Sequence, residues 1–152
     1  MTAGRRLLTI GYEDATPAAL VAALREAGVR RLVDVRALAN SRRPGFAKRA
    51  LAATLERAGI AYEHMRALGT PAEGRAAVRA GRPEAMRRIF AAHLAGTEAQ
   101  AALAALADRA RRETVCLLCL KADPRHCHRT LVAEALAQRV PVRITHLSPS
   151  DE

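Results

Sequence analysis

Short apolar runs alternate with amphipathic segments that close on a glycine, and this rhythm constrains the fold more than anything else in the chain. Leu7-Leu8-Thr9-Ile10 reads as a buried strand ending at Gly11. Thr16 followed by Pro17 is a helix start, with a side-chain acceptor at the N-cap and proline in the first turn. Leu20, Val21, Leu24 and Ala27 recur at helical spacing until Gly28 supplies the C-terminal turn. A second strand over 31–36, a helix from about Ala47 to Gly59, and a third strand over 60–64 repeat the unit. A strand–helix–strand–helix–strand order predicts right-handed crossovers and a parallel sheet.

Between 68 and 83 the breakers Pro71, Gly74, Gly81 and Pro83 predict a loop. A helix is expected over 83–94, and another from a Thr97/Gln100 capping box to Arg112. The rhythm then returns, with a doubly buried strand over 114–120, a loop over 121–126, a helix over 127–138 and a final strand over 142–147. The expectation is one α/β domain over 1–148, with a mostly parallel open sheet of about five strands and helices on both faces. A loose tail would occupy 149–152.

At 152 residues the chain can close one hydrophobic core without staples. No apolar run reaches the length of a membrane span, and the start, Met1-Thr2-Ala3-Gly4-Arg5-Arg6, has no signal-peptide core. A cytoplasmic protein is expected. Three cysteines argue against a disulfide framework and fit a reducing compartment. The net charge of +10 invites a nucleic-acid partner. Nearly all of it is Arg in an Ala-rich chain, which genome composition supplies as readily, and the scarce aromatics leave no stacking platform.

Ligands of an open parallel sheet bind outside the carboxyl ends of its strands. That rule gathers Tyr12 after the first strand, and Asp34 and Arg36 at the end of the second, followed by Ser41, Arg42 and Arg43. His64 closes the third strand, and Cys127, His128 and Arg129 follow the fourth. Asp34, His64, Cys127 and His128 are the catalytic candidates. Tyr12, Arg36, Ser41, Arg42, Arg43 and Arg129 are the candidates for holding an anion, because guanidinium groups grip phosphate bidentately. The bland readings are a salt bridge between Asp34 and Arg36 or Arg129, and a solvated loop over 41–46 with Phe46 tucked beneath it. His93 and His146 read as structural.

Cys127 lies where a loop becomes a helix, so backbone N–H groups and Arg129 would favour its thiolate. Cys127 would then be a nucleophile, against the alternative of an inert buried cysteine with His128 packing or capping. Only His128 separates Cys127 from Arg129, unlike the longer anion loops of thiol phosphatases and rhodaneses. Cys119, Cys127 and His128 also have the donor types of a zinc site. Cys116 and Cys119 face opposite sides of a strand and cannot pinch one ion. No metal is assigned on this reading, and any cofactor is left unspecified.

Several ordered motifs together resemble a known family. They are Thr9-Ile10-Gly11-Tyr12, Leu32-Val33-Asp34-Val35-Arg36, Ser41-Arg42-Arg43-Pro44 with Phe46, Gly59-Ile60 with Tyr62 and His64, Leu68-Gly69, and Leu118-Cys119 with Asp123-Pro124 and Cys127-His128-Arg129. This order resembles the family labelled domain of unknown function 488. The resemblance implies a single α/β domain in a cytoplasmic prokaryotic protein and implies no reaction. The chain departs from the family pattern at Glu13, usually Ser, and at Lys121, usually acidic. The expectation is an enzyme acting on a phosphate-bearing substrate, a nucleotide or nucleic acid, at the strand ends. The alternative is a non-catalytic nucleic-acid or anion-binding module using the same basic rim. Neither implies a membrane.

Overall fold

The computed structural model describes residues 5–149. The chain start read at Met1 to Gly4, and the expected tail beyond Pro149, lie outside the described residues. Five parallel strands form one sheet in the order β3-β2-β4-β1-β5. They are β1 (Arg5–Gly11), β2 (Arg31–Asp34), β3 (Ala61–His64), β4 (Val115–Cys119) and β5 (Val142–Leu147). Six α-helices accompany them among the described residues: α1 (Pro17–Glu26), α2 (Lys48–Arg57), α3 (Ala72–Arg79), α4 (Pro83–Leu94), α5 (Thr97–Arg112) and α6 (His128–Ala137). None of these is by itself long and apolar enough to cross a membrane.

Strand alternation divides the core into two layers. In β4, Cys116 and Leu118 face one side, packing with Leu20 and Leu24 of α1 and Leu51 and Leu55 of α2. Val115, Leu117 and Cys119 face the other, with Phe90 of α4, Leu103 and Leu106 of α5, and Val132 and Leu136 of α6. Opposite orientation of Cys116 and Cys119 is thus observed, and burial pushes the Cys116 thiol pKa up. Chain direction follows from the local signals at α1. Thr16 accepts the Ala19 N–H at 3.1 Å, and Gly28 takes a positive φ of 75° that a side chain would resist.

Two expectations are corrected. The loop expected over 68–83 contains α3, with Gly74 inside it. A Cβ there would clash with Thr70 Cγ2 at 2.5 Å and make only ordinary contact with Ile89 and Met86 of α4, so the glycine serves the close approach of Thr70 rather than breaking a helix. The Thr97/Gln100 capping box does not form. Gly96 takes the N-cap, and Gln100 instead donates through Nε2 to the Leu94 carbonyl at 2.7 Å.

Candidate functional site

Neighbouring strands send the chain to opposite faces: β1 and β2 lead to α1 and α2, and β4 between them leads to α6. Such switch points open a crevice at the strand ends. A cleft of about 420 Å³ lies there, lined from β1 by Tyr12, from the β2 loop by Arg36 to Leu38 and Asn40, and from β4 by Cys119 to Lys121. Cys127 and His128 at the start of α6 form its floor, and Thr70, Arg75, Val78, Arg79 and Met86 its far wall. Its cations are Arg36, Arg75, Arg79 and Lys121, and it has no carboxylate among its described lining residues. The large apolar side chains exposed among the described residues are Leu38, Val78 and Leu120. All three line this cleft.

Asp34 and Arg36 form a buried ion pair behind the wall. Arg36 donates to Asp34 through Nε at 2.8 Å and Nη2 at 2.6 Å, and Tyr62 Oη donates to the same carboxylate at 2.6 Å. Arg36 Nη1 also donates to the Phe46 carbonyl at 2.8 Å and the Tyr12 hydroxyl at 3.2 Å. Burial opposes the guanidinium charge, but the bonds to Asp34 outweigh it and hold the Arg36 pKa above its ordinary value. Burial and then the Asp34 contact likewise raise Tyr62. The bland reading of Asp34 and Arg36 therefore describes their geometry. Four of the five Arg36 N–H donors are already engaged, leaving little for an anion.

The basic loop also turns inward. Arg43 donates to the carbonyls of Tyr12 and Glu13, each at 2.6 Å, and to that of Ala15, while lying 5.0 Å over the Phe46 ring. Ser41 Oγ accepts the Arg43 N–H at 3.1 Å. Arg42 is exposed, and neither it nor Ser41, Arg43 or His64 lines the cleft. His64 binds the Arg36 carbonyl at 2.7 Å, holding the β2 loop. Of the sequence candidates, Tyr12, Arg36, Cys127 and His128 meet at the cleft; Asp34 and Arg129 lie buried behind it.

The floor carries the chemistry. His128 Nε2 lies 2.6 Å from the Val35 carbonyl, an acceptor only, so Nε2 bears the proton and Nδ1 presents a lone pair. That lone pair faces Cys127 Sγ at 3.9 Å. Burial above all keeps the imidazole neutral, lowering its pKa to about 4. Cys127 caps α6 by accepting the Arg129 N–H at 3.5 Å. Arg129 is fully buried, and the charge of Asp123 acts on it. Its Nη1 donates to Cys119 Sγ at 3.3 Å and to the Lys121 carbonyl, and its Nη2 to the Ala122 carbonyl at 3.2 Å. Burial lowers the Arg129 pKa. The expectation of unpaired thiols is corrected: Cys119 and Cys127 are joined by a disulfide, and Cys116 is the free cysteine.

Sequence reasoning missed Arg75, Val78 and Arg79, because it read their helix as a loop. The available signal was the run Arg75-Ala76-Ala77-Val78-Arg79, good helix formers after Glu73 in a first turn. The family model described as Domain of unknown function DUF488 matches residues 16–136, and the chain belongs to that family. No curated protein and no solved structure matches it.

Proposed function

We propose that this member of the DUF488 family is an enzyme acting on a small phosphate-bearing substrate, a nucleotide, in the cleft at the ends of β1, β2 and β4. The observation that carries this reading is the cleft lining, cationic at one wall, apolar at its rim and free of carboxylates among its described residues. Arg79 supplies phosphate contacts with Arg75, which spends one Nη1 donor on the Thr70 carbonyl, and with Lys121, 3.8 Å from Glu13, in place of the more fully engaged Arg36, Arg43 and Arg129. Leu38, Val78 and Leu120 offer an apolar bed for the base and sugar, the kind of exposed patch that marks a binding groove. The sulfur and imidazole groups of Cys127 and His128 then face the bound substrate as its reactive centre. The reading places the protein in the cytoplasm, where the glutathione pool keeps accessible thiols reduced.

Calorimetric titration with adenosine monophosphate and with inorganic phosphate tests this reading. Arg75→Ala and Arg79→Ala should each weaken both ligands about tenfold, since a charged hydrogen bond contributes about 1.5 kcal/mol or more. Leu120→Ser should weaken the nucleotide and leave inorganic phosphate unchanged. Equal affinity in all variants would contradict the phosphate site. The non-catalytic anion-binding module separates from the enzyme by turnover. Product forming from bound nucleotides, and lost in His128→Gln with binding retained, identifies the enzyme. Binding without conversion of any nucleotide tested identifies the module.

A further inference from the structure

We propose that in its reduced form the chain binds one zinc-class divalent cation through Cys119 Sγ, Cys127 Sγ and His128 Nδ1, with the fourth position open to the cleft. The three ligand atoms lie within 4.8 Å of one another, although they come from the end of β4, the N-cap of α6 and its first residue. Thiolate and imidazole donors suit zinc, and three protein ligands with one open position are the arrangement of its catalytic sites.

The surroundings complete a metal site ligand by ligand. A zinc-bound imidazole normally donates its second N–H to a carbonyl or carboxylate. Here Nε2–H is held by the Val35 carbonyl at 2.6 Å, which points the lone pair of Nδ1 at the sulfurs. Cys119 Sγ receives a hydrogen bond from the Arg129 guanidinium, and Cys127 Sγ one from the Arg129 backbone N–H. Arg129 is fully buried, Asp123 is a carboxylate whose charge acts on it, and its Nε has no hydrogen-bond partner among the described residues. The two Arg129 contacts give the sulfurs the outer hydrogen-bond partners that metal ligands carry. Two thiolates and a neutral imidazole on a dication form a neutral centre, with Arg129 hydrogen-bonded to one sulfur.

Backbone spacing fits the same reading. The Cα atoms of Cys119 and Cys127 stand 7.4 Å apart, a separation that two sulfur ligands of one cation also span. Two sulfurs on one zinc, each about 2.3 Å from it in tetrahedral geometry, stand about 3.8 Å apart. The conversion balances. Two electrons and two protons from a cellular dithiol turn the Cys119–Cys127 disulfide into two thiols. The cation then displaces those two protons to solvent as the two metal–sulfur bonds form. Exchange with a cellular disulfide, which takes up the two electrons with two protons from solvent and leaves as two thiols, restores the Cys119–Cys127 disulfide and releases the ion, so the site exists only in the reduced chain.

The metal site stands on its own ligands; only its use on a phosphate substrate rests on the function proposed above. The test uses the whole chain, reduced with a phosphine and titrated anaerobically with cobalt(II) alone as the spectroscopic probe. One equivalent should bring up thiolate-to-cobalt charge-transfer absorption and tetrahedral ligand-field bands, and zinc should abolish both. Cys119→Ser, Cys127→Ser and His128→Gln should each lose or displace those bands, while Cys116→Ser keeps them. Circular dichroism separates ligand loss from unfolding. In the unmodified chain, zinc should protect Cys119 and Cys127 from alkylation, read by mass spectrometry. Cobalt bound without a charge-transfer band, bands unchanged in all three ligand variants, or no protection of either cysteine would overturn the proposal, whatever the phosphate titrations show.

Discussion

Asp34→Asn is expected to cost about 3–5 kcal/mol of folding stability, the range for removing one member of a buried ion pair. The substitution keeps the shape and removes the charge that Arg36 is folded around. Asp34 is fully buried and Arg36 nearly so, and the guanidinium reaches across to Tyr12 and the Phe46 carbonyl. An uncompensated charge would thus sit at the junction of β1, β2 and the 37–47 loop. Domains of this size hold about 5–15 kcal/mol in total, so the variant would be marginal or unfolded. Urea denaturation measures the loss. Asp34→Asn with Arg36→Leu should recover part of it, because the buried charge goes too. A loss below about 1 kcal/mol would place the pair in the class of hydrated surface bridges.

Arg43→Ala and Arg42→Ala should differ sharply despite their adjacency. Arg43 stitches the loop after β2 to three carbonyls after β1 and covers the stacked Tyr12–Phe46 pair, whose ring centroids lie 4.5 Å apart. Its removal leaves those carbonyls to water, and because the group is partly exposed the expected cost is about 2 kcal/mol. Arg42 is exposed, and its loss should stay within about 0.5 kcal/mol. Thermal melts of the two variants side by side check this. Equal melting temperatures would remove the clamp and return Arg43 to the list of residues available to an anion.

Local signals carried most of the fold. Thr16 with Pro17, the positive-φ glycines Gly28 and Gly59, and the unbroken apolar run of the fully buried β4 each act within a few residues, so spacing exposes them. Gly74 shows where that stops. Its reason is the approach of Thr70 Cγ2, 2.5 Å from where a Cβ would stand, whereas by spacing alone a glycine there reads as a breaker. The site was legible in the same uneven way. The strand-end rule brought Tyr12, Arg36, Cys127 and His128 to one cleft. It gave no sign of which donors are already spent. Arg36 reaches Tyr12 across 24 residues and Arg43 reaches Ala15 across 28, and such contacts decide whether a guanidinium meets a ligand or the protein itself. The likeness of Cys119, Cys127 and His128 to a ligand set was visible in composition, whereas their convergence needed the turn from β4 into α6.

Amide mapping of the reduced, nitrogen-15-labelled protein with adenosine monophosphate tests the central claim most directly. Saturable shifts should concentrate on Tyr12, Asn40, Thr70, Arg75, Leu120, Lys121 and His128, which ring the cleft from five separate parts of the chain. Inorganic phosphate should move only the part of this set near Arg75 and Lys121. Shifts spread over exposed arginines such as Arg57, Arg111 and Arg139, without saturation and lost on adding salt, would mark diffuse attraction to a basic surface and contradict a built phosphate site.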